Sequence, residues 1–99
     1  MILMEWGYTT ISIFEKLEEK LRQKPIPNDI SILDIKTILE GYGFICSIGG
    51  KNHLKCFHSL IEQVIIIPPP HNTSSGVKRP YIKMVIAVLN EVKQITKVN

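Results

Sequence analysis

The chain has 99 residues, with twelve Lys and Arg against nine Asp and Glu, so its formal net charge is +3. This length predicts one domain with a single hydrophobic core, and a hydrophobic content of 44% excludes a disordered tail. The mild positive charge is compatible with a nucleic-acid partner without demonstrating one. The longest apolar run, Met84 to Leu89, spans six residues, too few for a transmembrane helix, so no membrane partner is expected.

The N-terminal segment and the two cysteines bear on location. Met1 to Trp6 lacks a basic region and Glu5 interrupts its apolar run, which argues against a signal peptide. We therefore expect a cytoplasmic protein in which Cys46 and Cys56 are reduced. Strand pairing would be able to bring the two thiols together, but their spacing fits no standard thiol motif, which favours two small core residues.

A first helix is predicted from about Ser12 to Lys24, because Ser12 and Glu15 form a capping-box pattern. Three apolar residues follow at helical spacing and form a core stripe: Phe14, Leu17 and Leu21. Glu18 and Arg22, one turn apart, are expected to pair on the solvent-exposed side. Lys24 to Asp29 contains two prolines, which end the helix and form a stiff linker.

A second helix is predicted from Ser31 to about Glu40, with Ser31 as its N-cap. Gly41 or Gly43 can supply the left-handed residue that ends it.

The last helix is predicted from about Arg79 to Thr96, because Pro80 suits a first helical turn. Lys78, Arg79 and Lys83 crowd its N-terminus, where cations oppose the helix dipole. These side chains either only keep this end soluble or attract an anionic ligand.

Three strands are predicted between the second and last helices, near Phe44–Ile48, Asn52–Phe57 and Gln63–Ile67. Val64 to Ile67 is almost entirely β-branched, which favours the best-buried strand of the sheet. Pro68 to Pro70 ends it, because prolines donate no ladder hydrogen bonds. The order is one helix followed by α-β-β-β-α, which predicts an α+β sandwich.

The sharpest functional feature is the turn before the second strand, where Gly49 and Gly50 are expected to supply positive φ angles. Strand alternation then places His53 and Lys55 together on the solvent face. An imidazole can transfer protons near neutral pH, and a lysine can stabilise charge developing on a phosphate. The alternative is a surface histidine with no chemical role.

No metal or cofactor is expected. The cysteines and three histidines supply enough donors for zinc, but they lack the short paired spacing of structural zinc sites: Cys46, Cys56, His53, His58 and His71. His58 lies at a strand end, where a structural or solvent-exposed role is expected.

The segment Gly50 to Lys55, preceded by a helix that ends in Gly43-Phe44, resembles the HicA-type toxin family of bacterial toxin–antitoxin systems. Ile67 to His71 is similar to the family's Ile/Val-Pro-x-His segment, with one or two extra residues. The resemblance covers about Ser31 to Val92. It divides the chain into an N-terminal helical extension with its linker, residues 1–30, and a HicA-like domain, residues 31–99. The extension and the domain are expected to form one compact unit.

The resemblance implies a double-stranded-RNA-binding-like fold, metal-independent cleavage of mRNA, and neutralisation by a cognate HicB-type antitoxin. The family's catalytic histidine corresponds to His53 and its turn glycine to Gly50, whereas Lys51 replaces the usual serine. Together with the basic residues above, the predicted RNA-binding set is Gly50, Lys51, Asn52, Lys55, His71, Lys78, Arg79 and Lys83. A non-catalytic RNA-binding module and a small protein-interaction domain are the alternatives.

Overall fold

A computed structural model describes residues 12–70 and 76–98, with side chains up to residue 96. Over these residues the fold is α+β, with three helices and one antiparallel three-stranded sheet. In chain order the elements are α1 (Ile13–Leu21), α2 (Ile32–Gly41), β1 (Ile45–Ile48), a 3₁₀ turn (Gly50–Asn52), β2 (Leu54–Phe57), β3 (Ile65–Ile67) and α3 (Arg79–Val98). The predicted order of elements is confirmed, although each strand is shorter than expected.

The sheet has the order β1-β2-β3, and its two faces differ in burial. Leu54 and Cys56 point into the core, whereas Lys55 and Phe57 lie on the exposed face, as alternation predicts. The expectation for Val64 to Ile67 was wrong in part, because Ile65 and Ile67 are buried while Ile66 is 51% exposed. Its β-branched residues therefore reflect strand propensity on both faces rather than burial on both faces.

The core lies between the inner face of the sheet and the helices. It takes buried residues from the three helices, β2 and β3, and its fully buried members include Leu21, Ile35, Leu54, Ile67 and Leu89. Leu21 comes from α1 and Ile30 from the linker, so α1 and the linker contribute to the same core as the rest of the described chain. None of the described helices has the length and apolar character needed to cross a membrane.

Both predicted helix caps are present. The backbone N–H of Ser12 donates to Glu15 Oε1 at 3.1 Å, and Ser31 Oγ accepts from the N–H of Asp34 at 3.0 Å. Helix α1 ends at Leu21 rather than near Lys24, because Pro25 has no N–H to donate to the Leu21 carbonyl and its ring would clash with that carbonyl in a continued helix. Gly43, with a φ of 93°, supplies the left-handed residue after α2.

A close backbone approach joins the linker to the start of α3. The N–H of Gly76 donates to the carbonyl of Asn28 at 2.9 Å, and the N–H of Val77 donates to that of Ile30 at 2.8 Å. A Cβ at position 76 would lie 2.5 Å from the Asn28 carbonyl oxygen, so only glycine fits. The linker is thereby fixed beside the N-terminus of α3.

Glu18 is buried, which corrects the expectation that it pairs with Arg22 on the solvent-exposed side. The pair does form, with Arg22 Nε 2.7 Å from Glu18 Oε2, but the Glu18 residue is only 5% exposed. Lys93 Nζ donates to the same oxygen at 2.6 Å, and the Tyr42 hydroxyl donates to Oε1. The sequence pattern missed this because Tyr42 and Lys93 lie 24 and 75 residues away.

The pKa values of Glu18 and Tyr42 in this cluster are shifted in opposite directions. Burial alone would raise the pKa of Glu18, but hydrogen bonds from its three donors hold that pKa below its usual value. Burial, together with the hydrogen bond to Glu18, raises the pKa of Tyr42 to about 12. The cluster is therefore an ionised carboxylate with a neutral phenol at neutral pH.

The two cysteines also differ from expectation. Cys46 and Cys56 are direct partners in the β1–β2 register, with their Cα atoms 4.1 Å apart, and the structure joins them in a disulfide. The prediction of free thiols was wrong because the short turn after Gly49 fixes a register in which these two positions face each other. Cys56 is fully buried, so it also fills core space as expected.

Replacing Glu18 by Gln should lower the free energy of unfolding at pH 7 by about 2 kcal/mol, because hydrogen bonds to a buried charged group are lost. The lowered folded-state pKa means that the stabilisation by Glu18 holds above the carboxyl pKa of the unfolded chain. It disappears as the pH falls through the folded-state value. Urea unfolding at pH 7 and pH 3 should therefore show a larger acid loss for the wild type than for Glu18→Gln.

The control is Glu19→Gln, an exposed neighbour on the same helix that should change stability by less than about 0.5 kcal/mol. Equal effects of the two substitutions would contradict a special role for the buried carboxylate.

Candidate nucleic-acid interface

The turn between β1 and β2 differs from the predicted glycine hairpin. Lys51 and Asn52 adopt positive φ angles of 61° and 60°, whereas Gly49 has a φ of −97° and Gly50 is not left-handed. A Cβ at Gly49 or Gly50 would meet nothing within 4 Å, so neither glycine is required by space. The left-handed conformation falls on Lys51, a residue type for which it costs free energy. The turn thus presents the Lys51 and Asn52 side chains to solvent at a conformational cost.

His53 follows this turn in an extended conformation, with φ −78° and ψ 135°. Its backbone carbonyl accepts from the N–H of Gly49 at 3.0 Å, which closes the turn and fixes the residue's position. The side chain is half-buried, and neither ring nitrogen hydrogen-bonds to a described residue. The turn therefore fixes the backbone from which the imidazole projects.

Lys55 lies two residues further along β2, on the exposed face of the sheet. Alternate residues of a strand share a face and lie roughly 7 Å apart, so His53 and Lys55 project from the same side. Ser47, the strand partner of Lys55, is also exposed. The face around Lys55 contains no acidic residue in β1, β2 or β3.

His58 has a structural role, one of the two expected for it. It is only 6% exposed, and its Nδ1 accepts the N–H of Leu60 at 3.0 Å. Nε2 consequently carries the hydrogen and donates to the Tyr42 carbonyl at 3.0 Å. Both nitrogens are occupied in joining the end of β2 to the end of α2, so His58 is not available for chemistry.

Charge along the chain is strongly segregated. Between residues 41 and 90 there are five Lys and Arg and a single acid, Glu62. The other eight acids lie in the first 40 or the last nine residues. Several of them are used in ion pairs on the helices, including Glu18 and Glu40. The sheet and the start of α3 are left with uncompensated positive charge, which favours an anionic partner.

Three cations meet in one shallow cleft beside the first turns of α3. Lys24 and the neighbouring Pro25 and Ile26 line it from the linker, and Arg79 and Lys83 line it from the helix. The cleft encloses about 310 Å³, and none of the three cations forms an ion pair with a described residue. Two other cations of the N-terminal segment, Lys20 and Arg22, do have acidic partners.

Lys24 is the residue that the sequence analysis missed. It lies 55 residues before Arg79, in a segment predicted only as a linker. The backbone pairing of Asn28 and Ile30 with Gly76 and Val77 brings it to α3. The sequence shows that Lys24 has no Asp or Glu three or four residues away, which marks it as an unpaired cation. It does not show that Lys24 faces α3.

The structure brings some of the predicted residues together and separates others. Gly50, Lys51, Asn52, His53 and Lys55 lie at the β1–β2 turn and the start of β2. Arg79 and Lys83 share the cationic cleft, whereas Lys78 lines a second cleft with Tyr81. His71 lies outside the described residues. Among the described residues, no three His, Cys, Asp or Glu side chains are grouped as metal ligands.

The exposed face of the sheet also carries large apolar side chains. Ile45 is 73% exposed and Ile66 51%, and Phe57 and Val64 are also open to solvent. Ile45 is the register partner of Phe57, and Ile66 that of Lys55, so the apolar side chains surround the lysine. A contiguous apolar surface of this kind is typical of interaction sites.

Comparison with known proteins identifies no relative: no family model, curated protein or solved structure matches the chain.

Replacing Lys51 by Gly should raise the free energy of unfolding by about 1 kcal/mol, because glycine adopts the left-handed conformation without steric cost. Thermal or urea unfolding measures the effect. The matched control is Lys55→Gly, which removes a lysine from the interior of β2 and should destabilise the protein. A loss of stability in Lys51→Gly would show that the lysine side chain makes stabilising contacts at the turn.

Proposed function

We propose that this protein is an RNA-cleaving toxin, a HicA-like mRNA interferase that uses His53 for acid–base transfer at the ribose 2′-hydroxyl. The observation that carries the proposal is the placement of His53. A closed turn fixes its backbone, its ring nitrogens bond to no described residue, and Lys55 lies two residues further along on a sheet whose three strands contain no acid. The resemblance of Gly50 to Lys55 to the family motif supports the same assignment.

The chemistry needs few protein groups because RNA supplies its own nucleophile. One ring nitrogen of His53 takes the proton of a 2′-hydroxyl, and the 2′-oxygen attacks the adjacent phosphorus. The bond to the 5′-oxygen breaks, that oxygen takes a proton from water, and a 2′,3′-cyclic phosphate remains. Lys55, with Lys51 at the turn, stabilises the negative charge on the phosphorane. General acid–base help of this kind contributes roughly 10²–10⁴-fold.

Binding precedes cleavage in this proposal. The cations of the turn and of the α3 N-terminus hold the phosphates, in a double-stranded-RNA-binding-like arrangement that the α+β fold and its element order permit. Gly50, Asn52 and His71 remain proposed RNA contacts beside Lys78, Arg79 and Lys83. Lys24 is added to this set because it shares the cleft of Arg79 and Lys83.

The apolar sheet face supports a protein partner for the same surface. A HicB-type antitoxin seated on Ile45, Phe57 and Ile66 would cover Lys55, which these side chains surround, and the neighbouring His53. RNA and the antitoxin would then compete for one face. The same apolar exposure favours the second candidate function, a protein-interaction domain without RNA activity.

Replacing His53 by Ala should reduce RNA cleavage at least roughly 100-fold while changing RNA affinity little, because the ring moves protons and the cations hold the strand. A gel assay of cleavage and a binding titration on the same RNA measure the two effects. Gln63→Ala, an exposed polar residue preceding β3, is the control and should cleave normally. Equal cleavage by wild type and His53→Ala would reject the catalytic role, and no salt-dependent RNA binding would favour the protein-interaction domain.

Replacing Lys24 by Ala should weaken RNA binding equally for different sequences, because a phosphate contact carries no base information. The slope of log affinity against log salt should become shallower by roughly 0.7–0.9 for the one contact removed. Lys16→Ala, an exposed cation on the acid-rich helix α1, should leave both quantities unchanged. An unchanged slope in Lys24→Ala would remove the cationic cleft from the binding surface.

A further inference from the structure

A second cleft lies between the proline run after β3 and the start of α3. Pro68, Pro69 and Pro70 form one side, and Lys78 and Tyr81 form the other. Tyr81 is half-buried, and its backbone N–H donates to the Lys78 carbonyl at 3.0 Å, which fixes both residues at the helix start. Lys78 is exposed and forms no ion pair with a described residue.

The lining of this cleft is suited to a flat ring that carries a phosphate. Prolines present rigid apolar ring surfaces and no N–H groups, and a tyrosine offers an aromatic face on which a base can stack. The unpaired ammonium of Lys78 supplies positive charge at the same cleft. Recognition of unstacked bases on aromatic side chains is the usual way in which proteins bind single-stranded RNA.

The volume of the cleft restricts the size of the ring that it can hold. It encloses about 160 Å³, and cavities of about 150 Å³ accept one benzene ring. One six-membered ring therefore fills the space, whereas the second ring of a purine would project from the open cleft and gain less contact with its walls.

The cleft lies beside the candidate catalytic histidine. Leu54 pairs with Ile67 at the end of the β2–β3 ladder, so the next residues along the two strands are His53 and Pro68. Pro68 is one wall of the cleft. A base held there places its own ribose and phosphate at the end of the sheet from which His53 projects.

We propose that the cleft of Pro68–Pro70, Lys78 and Tyr81 binds the pyrimidine base of a single-stranded RNA next to the phosphodiester presented to His53. This inference rests on the proposed function and adds a substrate class to it. The enzyme would cut single strands beside pyrimidines and leave duplexes intact, because a base stacked in a helix cannot enter the cleft.

The direct test is calorimetric titration of the full chain with uridine and cytidine 3′-monophosphates, with adenosine 3′-monophosphate and inorganic phosphate as comparison ligands. The pyrimidine nucleotides should bind at least several-fold more tightly than either comparison ligand. Tyr81→Leu, which keeps apolar packing but removes the ring, should weaken pyrimidine binding about ten-fold. Tyr81→Phe should bind like the wild type, and Lys78→Ala should lose the phosphate contribution only.

Melting curves establish that each variant is folded, and Lys78→Ala, at an exposed position, provides a second variant if Tyr81→Leu is unstable. Equal affinity for adenosine and uridine nucleotides, or no effect of Tyr81→Leu in a folded protein, would overturn the proposal. The two proposals fail separately. Cleavage that depends on His53 but not on Tyr81 or on the identity of the base would reject only the proposed base-binding cleft. Nucleotide binding that depends on Tyr81, without any RNA cleavage, would reject only the nuclease function.

Discussion

The buried carboxylate of Glu18 is the constraint on which the arrangement of the three helices depends. A charge that is withdrawn from water is tolerated only when donors surround it, and here the donors come from three elements. Arg22 is the C-cap of α1, Tyr42 follows α2, and Lys93 belongs to α3. Displacing α2 would remove the partner of Oε1, and displacing α3 would leave Oε2 with Arg22 alone. The network therefore fixes the position of the C-terminal end of α1 relative to the other two helices. The linker that carries Lys24 starts from that position.

The second constraint is a backbone contact that holds the linker beside the start of α3. Gly76 lies against the Asn28 carbonyl in a space that admits no side chain, and two hydrogen bonds join the linker to the residues before α3. Lys24 consequently shares a cleft with Arg79 and Lys83. Acids elsewhere pair with Lys20, Arg22 and Lys93, the last two sharing the Glu18 carboxylate, whereas the three cations of the cleft have no acidic partner among the described residues.

The sequence predicted what depends on local pattern and failed where distant residues meet. Helix caps, strand alternation and the placement of Lys55 follow from neighbours within a few positions, and all three were correct. The burial of Glu18 required knowledge of which segments lie together, whereas the approach of Cys46 to Cys56 was foreseen as a possibility of strand pairing but not chosen. The motif pointed to His53, and the catalytic role of this residue stays a prediction. The prediction of positive φ angles at Gly49 and Gly50 failed for a related reason. The register of the whole hairpin determines which residues adopt the left-handed conformation.

Several features of this fold cost free energy, and they fall on residues that we propose bind RNA or a protein partner. Lys51 adopts a conformation that is unfavourable for its type, three cations repel one another in the cleft, and apolar side chains remain in water on the sheet face. None of these features stabilises the isolated protein, and each would be relieved by a ligand, through phosphate at the cations or apolar contact at the sheet. Features that cost free energy and that packing does not explain are typical of binding sites. Stability is supplied instead by the Glu18 network, the core beneath the sheet and the linker–α3 pairing, which leaves the exposed face free to be shaped by its ligand.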